Sequence, residues 1–558
     1  MNWRRFRPWH AAAATIAILA LLACVTSLGH DFTYDDGNIV QTNASVHTLA
    51  GMWRLFGQTY WPKELGGDGY RPLVMSFFAL QWVVGGGAPW LFHLVTIILA
   101  VAAALSVQWC ARAILPAPAA WAAAALFAVH PVHVEVTGGI VGQSELIVAL
   151  CICLAVGIYL RARQRGALGP HAAAAILGLY VLGLLAKEHA IVLPLLLAAA
   201  EWTMISGPPW RVRLRELRLF ALLLVAVSSA FLLVLAQVHQ DLAGFVPYPA
   251  FRYLHMGALD RASTMLTLMP QVARLLVFPT HLSGDYSPPD VAITTGFGVA
   301  QLPGFFLAAG VVLLAIALRR RAPVASFGLC WLVIAFLPVS NLLVPAGFLI
   351  AERTLFLPSV GVVLVAGACV SAVLARGRQQ ERYVGGALLA SLLVLGVVRS
   401  VDRQRVWQNN DVFFDALVKD APLSYRAHLL RARVIGRENR VAEAVAEYRV
   451  AMRLFPYDVK MMLTIGRDYQ RMNACPLAIA VLQWSYKLDP LVAEGRDAYV
   501  DCLQQQHQWQ QSRAEALTAL SLVSGRESRE FRADVARADS ALGRRRPTHV
   551  IDHFALFP

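Results

Sequence analysis

Apolar runs separated by short polar connections fill the first 400 residues of this chain. A helix needs about 20 apolar residues to cross the hydrocarbon core of a bilayer, and many of these runs approach that length. The first run follows Arg4, Arg5 and Arg7 and is followed by many others, so we interpret it as an uncleaved first helix and not as a signal peptide. The pattern predicts about eleven membrane spans, at Trp9–Leu28, Pro89–Trp109, Trp121–Val134, Leu146–Tyr159, Ala172–Ala186, Ile191–Ile205, Leu219–Val238, Phe297–Leu318, Ala325–Val339, Thr354–Leu374 and Val384–Val398.

The connections between these runs differ in charge. Lys and Arg concentrate in every second connection, and by the positive-inside rule these connections are cytoplasmic. They are 1–8, 111–116, 161–171, 207–218, 319–323 and 375–383. The N-terminus is therefore predicted to lie inside, and an odd number of spans places everything after about residue 400 outside.

After residue 401 the apolar residues take the spacing of amphipathic helices, and no further run is long enough to span a bilayer. Pro422, Pro456 and Pro490 recur 34 residues apart, and Ala444 and Ala478 recur in register with them. This period is typical of tetratricopeptide repeats, in which small residues let two helices approach and a proline follows the second helix. The sequence therefore changes from a membrane pattern to a repeat pattern.

The predicted fold class is all-α. A polytopic membrane domain covers 1–400, a soluble α-solenoid of tetratricopeptide repeats covers 401–543, and a tail covers 544–558. Within the solenoid we predict a lone starting helix at 413–422 and a decayed third unit at 491–526. We interpret the repeats as a concave docking surface for a protein or peptide, and the alternative is a cap that only stabilises the membrane domain.

Composition excludes an ordinary soluble enzyme. Hydrophobic residues make up 57% of the chain and charged residues 15%, with a mean hydropathy of +0.54, whereas soluble domains have about 45–50% and about 25%. The formal net charge of +14 would suggest nucleic-acid binding in a soluble protein, but here it lies largely in the cytoplasmic connections, so no nucleic acid is expected as a partner. Of the eight cysteines, only Cys475 and Cys502 lie outside apolar stretches and could form a disulfide.

Five polar clusters interrupt the apolar sequence, all of them in connections predicted to be outside. Ionisable groups within or beside a bilayer are costly and often functional. The clusters are His30–Gly37, Tyr70–Pro72, His130–Glu135, Lys187–His189 and Ala351–Arg353. Together they offer carboxylates, histidines and cations on one side of the membrane.

Each cluster also has a purely structural explanation. The two aspartates of the first cluster could be a solvated pair or a helix cap, and Lys187 and Glu188 could form an ion pair. His130 could be a hydrogen-bonded core histidine, and Arg353 could reach towards lipid head groups.

The mixture of groups suits transfer of a group from a lipid phosphate. A carboxylate can take the proton of an attacking hydroxyl while Arg, Lys or His stabilises the departing phosphate. If the transferred group is a sugar, a nearby anion also favours the oxocarbenium-like transition state. No spacing of ligands argues for a metal site.

The clusters, taken in order, resemble the transmembrane and tetratricopeptide-repeat-containing family of protein O-mannosyltransferases. The similarity extends over most of the chain, because that family also has a multi-span part followed by repeats. The matching stretches are Phe32–Asp36, Tyr70–Leu73, His130–Glu135 with Gly142–Glu145, Lys187–His189, Pro338–Leu342, Pro345–Phe348 and Glu352–Arg353.

The resemblance implies an inverting GT-C glycosyltransferase that moves mannose or a similar sugar from a polyprenyl phosphate to a Ser or Thr hydroxyl. Its catalytic group would be Asp35 as general base with Asp36 as acidic companion and Glu135 beside the sugar. The donor phosphate would be held by Arg71, Arg353 and Lys187, and the acceptor and sugar pocket would be formed by His130, His133, Glu188 and His189.

The chain departs from the family in its short repeat array, so the choice of acceptor protein does not carry over. Its Ala- and Arg-rich sequence suggests a bacterial inner membrane with a periplasmic active face, and hence undecaprenyl phosphate as carrier. Apart from this lipid-linked donor no cofactor is predicted, and a need for a divalent metal stays open.

Two other functions remain in view. The chain could transfer the sugar to a lipid or envelope glycan, or it could be a non-catalytic membrane scaffold whose repeats recruit proteins. The stretch Phe245–Pro279 is predicted to be an amphipathic outer loop that lies on the membrane and guides the lipid donor, or else a lid without lipid contact.

Overall fold

The computed structural model describes residues 7–62, 67–207, 209–239, 251, 254–523 and 525–544. Within these ranges the chain is helical and contains no strand. It divides into two compact units, Met1–Tyr248 with Met256–Pro422 and Pro249–His255 with Leu423–Pro558. The predicted all-α class is therefore confirmed.

Fifteen α-helices are described in the first unit. They are α1 (Arg7–Cys24), α2 (Pro72–Gly85), α3 (Pro89–Ala111), α4 (Ala117–Ala128), α5 (Val134–Gly138), α6 (Gln143–Gln164), α7 (Pro170–Ala186), α8 (Leu193–Thr203), α9 (Trp210–His239), α10 (Ala258–Val277), α11 (Leu302–Leu318), α12 (Pro323–Phe336), α13 (Phe356–Arg376), α14 (Gln379–Gln404) and α15 (Asn410–Asp420).

Seven helical stretches among the described residues are long and apolar enough to cross a membrane. They are His10–Gly29, Pro89–Ala111, Ile140–Gln164, Trp210–His239, Val299–Leu318, Glu352–Arg376 and Gln379–Trp407. An eighth is counted if α4 and the stretch Pro131–Gly138, which are bent by 49° at their break, form one span. This is a multi-pass membrane protein.

The count differs from the predicted eleven because polar residues and prolines shorten several helices. The runs predicted at 172–186, 191–205 and 325–339 fall on helices of 17, 11 and 14 residues. Between the first two, Lys187 adopts an extended conformation that ends α7. The apolar helix α2 was not predicted as a span, and with 14 residues it is also too short for one.

Small residues bring the helices of the first unit close together. A Cβ atom on Gly361 of α13 would lie 2.4 Å from the carbonyl oxygen of Gly328 on α12, so these two backbones touch. On α6, a Cβ on Gly157 would meet the ring of Trp109 at 2.4 Å. Such contacts replace the hydrophobic driving force that lipid cannot supply between helices.

The second unit contains seven described α-helices that pack against one another in sequence order. They are α16 (Tyr425–Arg437), α17 (Val441–Leu454), α18 (Val459–Arg471), α19 (Cys475–Leu488), α20 (Arg496–Gln505), α21 (Trp509–Leu522) and α22 (Arg526–Ala541).

The 34-residue period of the sequence reappears in the helix bounds of this unit. Helices α17, α19 and α21 begin at Val441, Cys475 and Trp509, each 34 residues after the last. The third repeat, predicted to be decayed, lacks only the first turn of its first helix, because α20 begins at Arg496 after a left-handed Gly495. It keeps the 34-residue register of the two repeats before it.

Cys475 and Cys502 form a disulfide, with their Cα atoms 5.0 Å apart. This is the candidate pair from the sequence, and it ties the start of α19 to α20. The pairing joins the second helix pair of the repeat region to the third.

The boundary between the two units lies further along the chain than predicted. Residues 401–422, assigned to the repeats from their polar composition, belong to the first unit. The reason is burial, since Trp407 and Phe413 are 3% and 0% exposed. The segment predicted as a lone helix at 413–422 falls on α15.

Two other predicted segments extend beyond the described residues. Residues 245–250 and 252–253 of the stretch Phe245–Pro279 lie outside them, and most of the described remainder forms the amphipathic helix α10. Of the predicted tail at 544–558, only Arg544 is described.

Candidate active site

Asp36, the second residue of the acidic pair, is completely buried and faces backbone. Its carboxylate accepts hydrogen bonds from the amide N–H groups of Thr33 at 3.3 Å, Ile140 at 3.0 Å and Val141 at 2.9 Å. Burial raises the pKa of Asp36 to about 7, although the three donors favour its ionised form. Asp36 therefore fastens the acidic loop to the segment that leads into α6.

Asp35 points the other way, towards Arg353. Its Oδ2 lies 3.7 Å from Nη2 of Arg353, and its side chain is 15% exposed. Arg353 also holds Glu135, with Nη1 2.5 Å from Oε1 and the backbone N–H donating to Oε2 at 2.8 Å. Both oxygens of Glu135 are thus bound, whereas the contact described for Asp35 is its ion pair with Arg353 through one oxygen.

A short loop presents Arg353. Asn341 adopts a left-handed conformation with φ of 57°, and its side chain donates to the carbonyl of Phe348 and accepts from the N–H of Ala346. The ring of Phe348 in turn lies 5.8 Å from the Arg353 guanidinium. The stretches Pro338–Leu342 and Pro345–Phe348, which follow α12, therefore hold Arg353 in position.

Arg71, at the start of α2, is paired with Glu188. Its Nε lies 3.5 Å from Oε2 of Glu188, whose other oxygen accepts the N–H of Tyr70 at 2.6 Å. The Arg71 guanidinium also stacks over the ring of Tyr60 at 4.3 Å. Tyr60 is itself buried, so this stack holds Arg71 inside the protein.

Lys187 is neutralised by Glu145 of α6, and not by its sequence neighbour Glu188. The two groups form a buried ion pair, and Nδ1 of His189 lies 3.8 Å from the other oxygen of Glu145. His189 also contacts the carbonyl of Ala335 at 2.6 Å. The alternative of an ion pair between Lys187 and Glu188 therefore does not hold among the described contacts, because these neighbours pair with Glu145 and Arg71.

His130 and His133 are both hydrogen-bonded, and His133 is buried. Nε2 of His130 lies 3.0 Å from the carbonyl of Leu276, and its Nδ1 accepts the N–H of Val132. Nε2 of His133 lies 2.9 Å from Oγ of Ser359. Among the contacts described, neither ring reaches the Asp35 and Arg353 pair, and the place of both histidines in the acceptor and sugar pocket stays a prediction.

The sequence did not assign two residues that the structure places at the site, Glu145 and Tyr60. Glu145 lies in the stretch Gly142–Glu145, which resembles the family. A carboxylate within an apolar segment could have marked it as a site residue. Tyr60 gave no signal, since a tyrosine in a loop is ordinary. Within the described ranges, no group of three or more His, Cys, Asp or Glu side chains is arranged to hold a metal ion.

The site can thus move a proton and stabilise an anion. Asp35 supplies a partly exposed carboxylate, and Arg71, Lys187 and Arg353 supply three cations. Each cation is already paired with a carboxylate. An arriving anion therefore meets cations that their carboxylate partners already hold in place.

No protein-family model matches this chain. Among curated proteins it is similar to protein O-mannosyl-transferase TMTC3 of Mus musculus, with 24% identity over 86% of this chain and 55% of that protein. It is also similar to TMTC1 of Homo sapiens, with 25% identity over 82% and 57%. Tmtc2 of Drosophila melanogaster is 35% identical over 48% of this chain and 29% of the relative.

The chain spans about half the length of these first two relatives. Among solved structures, the apo oligosaccharyltransferase of Archaeoglobus fulgidus covers 75% of this chain with 58% of its own, at 15% identity and a TM-score of 0.42. Over most of its length, therefore, this chain is similar to the transmembrane and tetratricopeptide-repeat-containing protein O-mannosyltransferases, as its motifs predicted.

Proposed function

We propose that this protein is a membrane glycosyltransferase that moves one sugar, mannose or a similar one, from a polyprenyl phosphate to a Ser or Thr hydroxyl of an exported protein. The proposal is supported by its similarity to proteins named as O-mannosyltransferases. The observation that carries it is the contact of Asp35 with Arg353, beside the buried Glu135.

In the proposed reaction, the acceptor oxygen attacks the anomeric carbon and its proton passes to Asp35. The bond between that carbon and the donor phosphate oxygen breaks, and the electron pair stays on the departing polyprenyl phosphate. Attack opposite to the leaving group inverts the configuration at the anomeric carbon. A positioned carboxylate contributes about 10²- to 10⁴-fold to such a step.

Arg353 and Arg71 are proposed to bind the donor phosphate, with Lys187 behind them. Arginine can offer two parallel N–H donors to a phosphate, which fixes its orientation as well as its charge. Asp35 and Arg353 are in contact, so a phosphate held by Arg353 would lie next to the base. Glu135 would keep Arg353 oriented through its two hydrogen bonds.

Lys187 has a more indirect role in this scheme. Its ion pair with Glu145 is buried, so Lys187 supplies positive potential to the site without giving up its partner. His189 and Glu188, predicted for the acceptor and sugar pocket, contact Glu145 and Arg71 and are proposed to orient these two groups.

The setting we propose is a bacterial inner membrane with the active face and repeats in the periplasm and with undecaprenyl phosphate as the carrier. The lipid bilayer, the lipid-linked donor and an acceptor protein that docks on the repeats are the proposed partners. The basic connections 161–171 and 207–218 support this orientation.

The test uses the full-length protein in liposomes with polyprenyl-phosphate mannose and a Ser/Thr-rich peptide. We expect label on the peptide, none on a matched peptide with Val at those positions, and an inverted anomeric linkage. Label that appears in added lipid or glycan, and not in the peptide, would favour the envelope-glycan alternative. No transfer to any acceptor would favour the scaffold.

A further inference from the structure

A segment far from the acidic loop in sequence holds that loop in place. We call Gln404–Phe413 the junction segment, because it joins α14 to α15 just before the second unit begins. It lies within the first unit, and Gln404, Trp407 and Phe413 are buried there. From its polar composition, the stretch was predicted to belong to the repeats.

Three hydrogen bonds connect the junction segment to the loop. The N–H of Asp31 donates to the carbonyl of Gln408 at 2.9 Å, and the hydroxyl of Thr33 donates to the carbonyl of Trp407 at 3.1 Å. The third uses a side chain, because the N–H of Tyr34 donates to Oδ1 of Asn410 at 2.8 Å. A single substitution can therefore remove this third bond.

Tyr34 is the strained residue of the loop. Its φ of 58° lies in the left-handed region, which costs free energy for a residue with a Cβ atom. Its ring stacks on Phe413 with centroids 5.0 Å apart. Bonded through its N–H and stacked through its ring, Tyr34 is held in the conformation that directs the next residue, Asp35, towards Arg353.

The junction segment also supports the other carboxylate of the site. The Trp407 ring packs on Gly138, where a Cβ atom would come within 2.7 Å of it, and so requires a glycine there. The side-chain amide of Gln404 donates to the hydroxyl of Thr137 at 2.7 Å. Gly138 and Thr137 belong to α5, the helix that carries Glu135.

We propose that the junction segment is a positioning element for the active site and that Asn410 is its main positioning residue. Asn410 touches no reacting group, and it acts by fixing the backbone of Tyr34 so that Asp35 faces Arg353. The catalytic part of this inference rests on the proposed function, whereas the fixing of the loop does not.

The test compares Asn410→Ala with Asn410→Asp and Asn409→Ala in the full-length protein. Asp at position 410 keeps an acceptor oxygen for the N–H of Tyr34. Asn409 is the matched control, because its Oδ1 accepts the N–H of Val412 and caps α15 without touching the loop. All three variants change one Asn, and two of them remove one hydrogen bond to a backbone N–H.

The first readout is hydrogen exchange of the peptide that covers 31–37. We expect about tenfold faster exchange in Asn410→Ala, close to the loss of one buried hydrogen bond. Asn410→Asp should restore protection, and Asn409→Ala, which keeps the bond to Tyr34, should change the exchange much less than Asn410→Ala. Equal exchange in Asn410→Ala and Asn409→Ala would overturn the proposal.

The second readout is transfer kinetics. We expect kcat to fall about tenfold or more in Asn410→Ala, because a small misplacement of a catalytic group is costly, while KM for the donor stays within about twofold. Faster exchange with native kcat would overturn the positioning role. If Asn410→Ala is not recovered as folded protein, Phe413→Leu removes the stack on Tyr34 and should show the same two changes.

Failure of the proposed function has a different signature. In that case Asp35→Asn would be as active as the native protein in every transfer assay, whatever the exchange results. The hydrogen-exchange comparison requires no activity, so it still decides whether Asn410 fixes the loop.

Discussion

The two units of this protein contain ion pairs of nearly equal length in very different surroundings. In the first unit, Arg353 lies 2.5 Å from Glu135, whose side chain is 3% exposed. In the second, Arg440 lies 2.6 Å from Glu443, whose side chain is 59% exposed. Water and salt screen the second pair, whereas separating the first leaves a charge without solvent. Burial, and not distance, therefore decides how much stability is lost when an ion pair is broken.

The largest effect is expected when the buried pair loses its cation. Arg353→Met removes the guanidinium that pairs with Glu135 and keeps only the backbone N–H of residue 353 as a donor, so it leaves the charge of a buried carboxylate unpaired. We expect a loss of about 3–5 kcal/mol in the free energy of unfolding and no detectable sugar transfer. Denaturation of the detergent-solubilised protein measures the first. An unchanged stability would show that Glu135 is not buried as described.

The second buried pair allows a sharper test, because both partners can be removed together. Glu145→Gln alone leaves Lys187 without its counter-charge and should cost about 3 kcal/mol or more. Adding Lys187→Met should return part of that stability, since no unpaired charge remains. The double-mutant cycle measures this coupling. Strict additivity of the two substitutions would contradict the pairing.

Asp36 predicts a pH dependence of stability with a defined sign. Its pKa is about 7 in the folded protein and near the ordinary value of 3.8 when unfolded, so folding favours the protonated form. Its contribution to stability is therefore greatest below pH 3.8 and is lost as pH rises through 7. Relative to Asp36→Asn, the native protein should gain stability between pH 8 and pH 6. A difference that is constant over this range would contradict the assignment.

The smallest effect is expected at the exposed pair of the second unit. Arg440→Met removes the contacts with Glu443 and Glu438, all of them on the surface. We expect no measurable change in melting temperature or in transfer, because solvated pairs contribute little. A loss of stability as large as that of Arg353→Met would contradict the conclusion that burial decides the contribution of an ion pair.

Local patterns predicted the helices well. The apolar runs all fall on helices, and the 34-residue period of the prolines returns in the helix bounds. Both signals are periodic and depend on near neighbours in sequence. The span count was less accurate, since the length of a run does not show where a buried polar residue such as Lys187 will end a helix.

The site was only partly predictable from sequence. The motifs brought forward Asp35, Glu135 and Arg353, which the structure places in contact. They did not reveal that Glu145 binds Lys187, because the choice between partners depends on tertiary packing of distant segments.

The support of the acidic loop was also hidden from sequence. A left-handed Tyr34 is unexpected for an aromatic residue, and its partner Asn410 is far along the chain in a stretch whose polarity pointed to the repeats. Trp407 and Phe413 of that polar stretch are buried by tertiary contacts, which composition does not show.

In the proposed reaction Asp35 is the base that takes the proton of the attacking Ser or Thr hydroxyl. The most direct test measures single-turnover sugar transfer by Asp35→Asn beside Asp31→Asn, the same substitution in the same loop. Asp31 accepts the N–H of Phe32 through Oδ1, an atom that Asn retains. We predict a fall of about 10²-fold or more for Asp35→Asn with donor binding preserved, and native transfer for Asp31→Asn. Native transfer by a folded Asp35→Asn protein would contradict the account.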